Sequence, residues 1–163
     1  MNTWVVNASP LILLGKINRL DLLEKLCPSF VIPYPVSLEI LAGPDLDPAK
    51  IWMQNAHVCT RVVPNETIPE EIIAWDLGAG ETAVLALASS QTGAICVLDD
   101  LAARNCAEVF HLPVIGTLGI LLKAKLAGIV PRLQPEIDHL VSVGSMLAPS
   151  VIHKVLTLAG ETA

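Results

Sequence analysis

Between Glu81 and Asp99 the chain carries no charged residue, and this stretch constrains the fold more than any other. It is not a membrane span, which needs about 20 continuous apolar residues; Ser89-Ser90-Gln91-Thr92-Gly93 breaks it in the middle. It divides instead into three pieces. Glu81 to Ser89, rich in alanine and leucine, is a helix; the polar break is a turn; Ala94 to Leu98 is a short buried strand. A strand that is apolar at consecutive positions hides both of its faces, which is the habit of parallel sheets covered by helices on both sides.

The rest of the chain repeats the alternation. Short apolar runs predict strands near 4–6, 30–32, 58–63, 94–98 and 113–115. Between them lie helical segments with recognisable starts. Ser9-Pro10 pairs a capping hydroxyl with a residue suited to a first helical position, ahead of a helix from Leu11 to Ile17 that breaks near Asn18. Pro35 opens a helix through Glu39 to Leu41, closed by Gly43-Pro44, and Asp47-Pro48 opens another. Further helices are expected at Asp21–Leu26, Glu70–Trp75, from Asp100 to about Phe110, from Thr117 to Gly128, and at Glu136–Val143 and Pro149–Leu158. The expectation is an α/β three-layer sandwich: a parallel sheet of about five strands with helices on both faces. With no repeat, low-complexity tract or linker, residues 1–163 read as a single domain.

Composition narrows the function classes. Hydrophobic residues make up 53% and charged residues 16%, so apolar surface must be hidden, and a homodimer is expected through the Leu11–Leu26 helices or the helix at Pro35. No Lys or Arg precedes the first apolar run, which argues against a signal peptide, and the four cysteines contain no C-x-x-C pair. Reduced thiols, a cytoplasmic location and no membrane association follow as expectations. The histidines lack zinc-ligand spacing. A net charge of −6 repels nucleic acid, so RNA binding would need a local basic patch or bound cations.

The carboxylates are few and oddly placed. In open parallel sheets, sites form beyond the carboxyl ends of the strands; Asn7 follows the first strand, and Asp99 and Asp100 follow the fourth. Glu39 sits in an apolar helix and Glu81 heads the alanine-rich one. Each has a plainer role, as a helix cap, a dipole partner or a solvated charge. Gathered at one edge, they would suit Mg²⁺ or Mn²⁺, hard ions that take oxygen ligands.

The segments V-V-N-A-S-P-L-I, V-S-L-E-I, G-E-T-A-V-L-A-L-A and C-V-L-D-D-L-A-A-R, followed by G-T-L-G-I-L at Gly116–Leu121, resemble the PIN-domain family in order and spacing. The likeness is to an uncharacterised VapC-like, toxin-like ribonuclease branch, and it runs from Val5 to about Glu161. The resemblance implies a fold of the kind expected above and a metal-dependent ribonuclease that hydrolyses RNA phosphodiester bonds, with an antitoxin protein as a possible partner. It places the family's acids on Asn7, Glu39, Glu81 and Asp99 as catalytic and metal-holding residues, with Asp100 an extra acid and Ser9 the hydroxyl that follows the first. Asn7 departs from the family's aspartate and supplies no negative charge; Glu81 stands where aspartate is more usual, one methylene longer. Arg104 either grips a phosphate or pairs with Asp100 four residues back, and Thr117 either binds a metal water or caps its helix. Two rivals stand beside this reading: a PIN-like interaction module without catalysis, and a nucleotide-binding protein using the G-x-G-x-x-A match at Gly78–Ala83, which lacks a preceding strand.

Overall fold

A computed structural model describes residues 2–162. Strands β1 (Thr3–Val6), β4 (Ala94–Val97) and β5 (Val114–Ile115) form a parallel sheet with β4 in the middle, Val5 opposite Cys96 and Cys96 opposite Val114. Strands β2 (Ile32–Pro33) and β3 (Val62–Val63) form a second parallel pair. A parallel bridge between Val5 and Val31 sets this pair beside β1, with the Val6 N–H donating to the Val31 carbonyl at 3.0 Å and the Val31 N–H to the Trp4 carbonyl at 2.8 Å. The lateral order is therefore β3-β2-β1-β4-β5, and the direction of chain progression reverses between β1 and β4. Consecutive residues of a strand face opposite sides, and Val5, Val6, Cys96 and Val97 are all fully buried. Both faces of the central strands are covered.

The helix α7 (Ala79–Ser90) packs against β1, β2 and β4. Its residues are buried from Thr82 through Ala88, all round the helix, which explains the missing charges. Around it lie α3 (Tyr34–Leu41) and α8 (Leu101–Val109). A second group comprises α1 (Ala8–Lys16), α2 (Asp21–Leu26), α9 (Thr117–Leu126) and α10 (Leu133–Ser142). The short helix α4 (Pro48–Met53) packs on α1 and α3, α5 (Ala56–Cys59) on α4 and α6 (Glu70–Ile73) on α7, and α11 (Pro149–Leu158) closes the chain against α9 and α10. Among the described residues no helix is long and apolar enough to cross a membrane.

Several boundaries differ from the sequence expectation for identifiable reasons. The continuous sheet of five strands is a three-stranded sheet and a two-stranded pair joined by one bridge. The strand expected over 58–63 shrinks to Val62–Val63 because the Asn55 side chain accepts from the His57 N–H at 2.9 Å and starts α5 there. The first helix begins at Ala8, so Asn7, not Ser9, occupies the cap position, although it makes no side-chain cap bond. Pro10 is tolerated in the third helical position because N–H groups of the first turn have no intrahelical acceptor. Asn18, in the left-handed region at φ 57°, terminates that helix as expected. Asp47 caps α4 through the Ala49 N–H at 2.9 Å, with Pro48 behind it. Leu11, Leu14, Leu22 and Leu23 are wholly buried, so the Leu11–Leu26 face belongs to the core and is not free for a dimer partner.

Two polar ties hold the later helices. Arg19, after α1, donates to the Glu136 carboxylate of α10 through Nε at 3.0 Å and through its terminal nitrogen. Glu161 turns back on α10, where its two carboxylate oxygens accept from the backbone N–H groups of Leu133 and of Gln134, the latter at 3.1 Å. Lys125 stands 3.8 Å from the same carboxylate.

Candidate metal centre at the sheet edge

The reversal between β1 and β4 opens a crevice at the carboxyl ends of those strands. Asn7 enters it directly after β1. Its backbone N–H donates to the Val97 carbonyl at 3.1 Å, which pins the residue against β4, and only 1% of it is exposed. The side-chain Nδ2 donates to Glu81 Oε1 at 3.2 Å. The opposite atom, Oδ1, is buried and has no protein partner, the only such side-chain atom among the described residues. A buried acceptor left without a donor is costly, of order 1–3 kcal/mol, and marks a place where something else is to be bound.

Glu39 supplies the neighbouring oxygen. Helix α3 buries Val36, Ser37 and Ile40, which leaves Glu39 on its rim, facing α7. Partial burial, and then the Glu81 charge, push the Glu39 carboxyl above its ordinary value. The two groups meet around Gly80: a Cβ on that glycine would lie 2.9 Å from Asn7 Oδ1 and 3.0 Å from Glu39 Oε2. Gly80 therefore keeps open a space lined by an amide oxygen and a carboxylate oxygen, with Glu81 on the other side of the amide.

Asp99 forms a second corner one strand over. Its Oδ1 accepts from the Thr117 backbone N–H at 2.8 Å and its Oδ2 from the Thr117 hydroxyl at 2.6 Å. Asp99 thus occupies the first N–H of α9 from outside that helix. Thr117, 3% exposed, is not a side-chain cap; its hydroxyl holds the aspartate and keeps its own lone pairs. Arg104 makes no ion pair with Asp100. Its Nη1 instead donates to the Leu98 carbonyl at 3.1 Å. A Cβ on Gly116 would come within 2.8 Å of that nitrogen and 2.9 Å of Asp99 Oδ1, so the bare glycine lets the guanidinium and the carboxylate approach the same space. Asp100 is exposed and caps α8 through the Ala103 N–H at 2.9 Å. Ser9, half-buried in the first turn of α1, makes no hydrogen bond to these acids.

The residues thus divide into two groups. Asn7, Glu39 and Glu81 come together; Asp99, Thr117 and Arg104 come together; no hydrogen bond or ion pair among the described residues joins the groups. No three His, Cys, Asp or Glu side chains of the described residues cluster as a metal site by themselves, because the first corner has two carboxylates and an amide. Its donor set is nonetheless all oxygen, the chemistry that suits Mg²⁺ or Mn²⁺, and an unpartnered carbonyl oxygen beside two carboxylates fits such an ion. A cavity of about 770 Å³ adjoins the second corner, floored by Asp99, Arg104 and Thr117 and walled by Leu118, Leu147 and Val155.

Gly80 and Gly116 were not singled out as site residues from the sequence. Helix α7 starts at Ala79 and takes Gly80 into its first turn. The G-x-G-x-x-A match has helix α6 and a loop ahead of it, not a strand, so the context of a dinucleotide site is absent.

No curated protein matches the chain. A family model described as a PIN domain matches residues 3–161. That match carries with it a nuclease-type fold, divalent cations as the family's usual partners, and an RNA-related role. With its strand order, its reversal point and the family model agreeing over nearly its whole length, the chain belongs to the PIN-domain family.

Proposed function

We propose that the chain works as a single-domain, metal-dependent ribonuclease of the VapC toxin-like type, hydrolysing RNA phosphodiester bonds in the cytoplasm. The observation that carries this reading is the buried, unpartnered Asn7 Oδ1, flanked by Glu39 and Glu81 at the sheet's reversal point. Asn7, Glu39 and Glu81 would hold a Mg²⁺ or Mn²⁺ ion, with Asp99 presenting its carboxylate from the next strand; Asp100 stays with its helix cap. A bound cation of this kind lowers the pKa of its water and offsets the charge that develops on phosphorus. The chain's own residues do the rest. Thr117 fixes the Asp99 carboxylate through two hydrogen bonds, so the acid cannot swing away as RNA approaches. Arg104, anchored at one nitrogen on the Leu98 carbonyl, keeps its other donors for a phosphate oxygen. Gly80 leaves the space that an incoming ion or water would occupy.

The assembly that goes with this reading is a homodimer through α3. Tyr34, Leu38 and Leu41 form an exposed stripe at helical spacing, with Leu46 and Ile51 beside it. Sedimentation at high micromolar concentration should give twice the chain mass.

The rival reading is a PIN-like interaction module, bound to an antitoxin-type protein, that has lost catalysis. The Asn7–Glu81 hydrogen bond favours it, because that corner is satisfied in part without a cation. Mixed RNA and a manganese titration on three proteins separate the two. The nuclease reading expects Asn7→Asp to raise Mn²⁺ affinity and cleavage above wild type, and Asp99→Asn to abolish cleavage. Wild type and Asn7→Asp both inert across the titration would leave the interaction module.

A further inference from the structure

We infer that Asn7 is a built-in stand-in for cation charge: its amide holds Glu81 in place from within the fold, so that this PIN domain keeps its acidic edge ordered with no metal bound. Asn7 and Glu81 are far apart in sequence and meet at the junction of β1 and α7. The contact is part-buried, made by an Asn7 that is 1% exposed and a half-buried Glu81, so the amide donor comes from inside the fold. Glu39 faces the same space across Gly80.

An aspartate at position 7 changes the balance. The 3.2 Å donor–acceptor contact becomes a contact between two carboxylates, with a third, Glu39, on the other side of Gly80. Like charges at that separation in a site of low dielectric repel strongly and need a cation between them. The neutral amide removes one charge and adds one donor. It also leaves Oδ1 as an oxygen ligand, so the position retains a contact for an ion without demanding one. Asn7 is thus a positioning residue acting through Glu81, whose effect on order at this edge differs from its effect on chemistry.

The pair can be tested by reversing it. Asn7→Asp together with Glu81→Gln keeps one carboxylate and one amide and turns the hydrogen bond round, the donor now lying on the α7 side. Thermal melts would be recorded in EDTA and in saturating MnCl₂, with no RNA present. Wild type should gain only modestly in Mn²⁺, by ordinary ligand linkage at an edge already ordered, and less than Asn7→Asp does. Asn7→Asp should melt about 5 °C lower in EDTA, from the loss of a charge-assisted bond in a domain of this size, and recover in Mn²⁺. The reversed pair should stay near wild type in EDTA. If Asn7→Asp cannot be obtained folded without metal, a folded reversed pair still supports the inference. Three results would overturn it: Asn7→Asp melting with wild type in EDTA, the reversed pair falling as far as Asn7→Asp or failing to fold, or wild type gaining as much from Mn²⁺ as Asn7→Asp does. Because the readout is stability without substrate, an absence of RNA cleavage would count against the ribonuclease reading and leave this one standing.

Discussion

The two acidic corners of the crevice lie on neighbouring strands and have been treated by the fold in opposite ways. At the Asn7 corner an oxygen is left bare, a carboxyl is pushed up by burial and a like charge, and a glycine keeps the intervening space clear. At the Asp99 corner both carboxylate oxygens are taken by Thr117, and the nearby guanidinium is anchored on a backbone carbonyl. The first corner leaves an acceptor bare, while the second takes one protein bond on each oxygen and keeps its remaining lone pairs for a ligand. The protein bonds at Asp99 support the fold as well as orient the acid, while the bare oxygen at Asn7 has only a ligand to complete it. Sequence position alone does not tell the two apart, since each begins with a polar residue directly after a buried strand.

That contrast can be broken by mutation. The widest separation is expected between Asp99→Ala and Glu39→Gln. Removing Asp99 leaves the buried Thr117 N–H and hydroxyl without their partner, which should cost about 1–3 kcal/mol in urea melts. Glu39→Gln removes a carboxylate whose ionisation the folded state already disfavours, so stability should hold while Mn²⁺ binding falls in calorimetry. Equal losses of stability in the two variants would erase the distinction between the corners. Next in size is Asp100→Ala, which removes a helix cap and should cost about 1 kcal/mol with no change in metal affinity. A smaller effect is expected for Arg104→Ala: unchanged melting, weaker RNA binding, and a salt dependence shallower by about 0.7 in log–log slope, the value of one phosphate contact on a single strand. An unchanged slope would remove Arg104 from the RNA path. The smallest effect concerns pH. Partial burial pushes the Glu161 carboxyl up, but the Leu133 and Gln134 N–H groups, with Lys125 and Arg132, outweigh it and hold it below the ordinary glutamate value. Stability from that tie is complete above the ordinary value and is lost as pH falls through the lowered one. Glu161→Gln should therefore lower the neutral plateau of a stability–pH curve slightly and flatten its acid limb, meeting wild type at low pH.

Much of this was legible in the chain. The alternation of buried strands with helices, the position of Asn7 after β1, and the aspartates after β4 follow from short-range patterns that tertiary packing did not override. Asp47-Pro48 and Asn18 behaved as local signals do. What escaped is non-local. That Asn7 donates to Glu81, and that Thr117 is held by Asp99, depends on elements brought together by crossovers and leaves no mark in spacing. Gly80 and Gly116 matter for the atoms they lack, and only the positions of their neighbours reveal that. Ser9 as a helix cap and the Arg104–Asp100 ion pair failed for a related reason: a hydroxyl before proline and a cation four residues after an acid are strong local patterns, and both lost to partners or boundaries set elsewhere in the fold.

The tie between Glu161 and the start of α10 also shapes the dynamics of the chain's last helices. Leu133 and Gln134 contribute the first two amides of α10, groups that in most helices have no acceptor and exchange their protons with water almost freely. Here each is covered by a carboxylate oxygen arriving from beyond α11, a helix whose own span buries only Leu156. Their exchange rates therefore report on a different part of the molecule. They should be slow while the closing segment is docked and should quicken together with it, so that two amides at the head of α10 measure the opening of α11 as one cooperative unit.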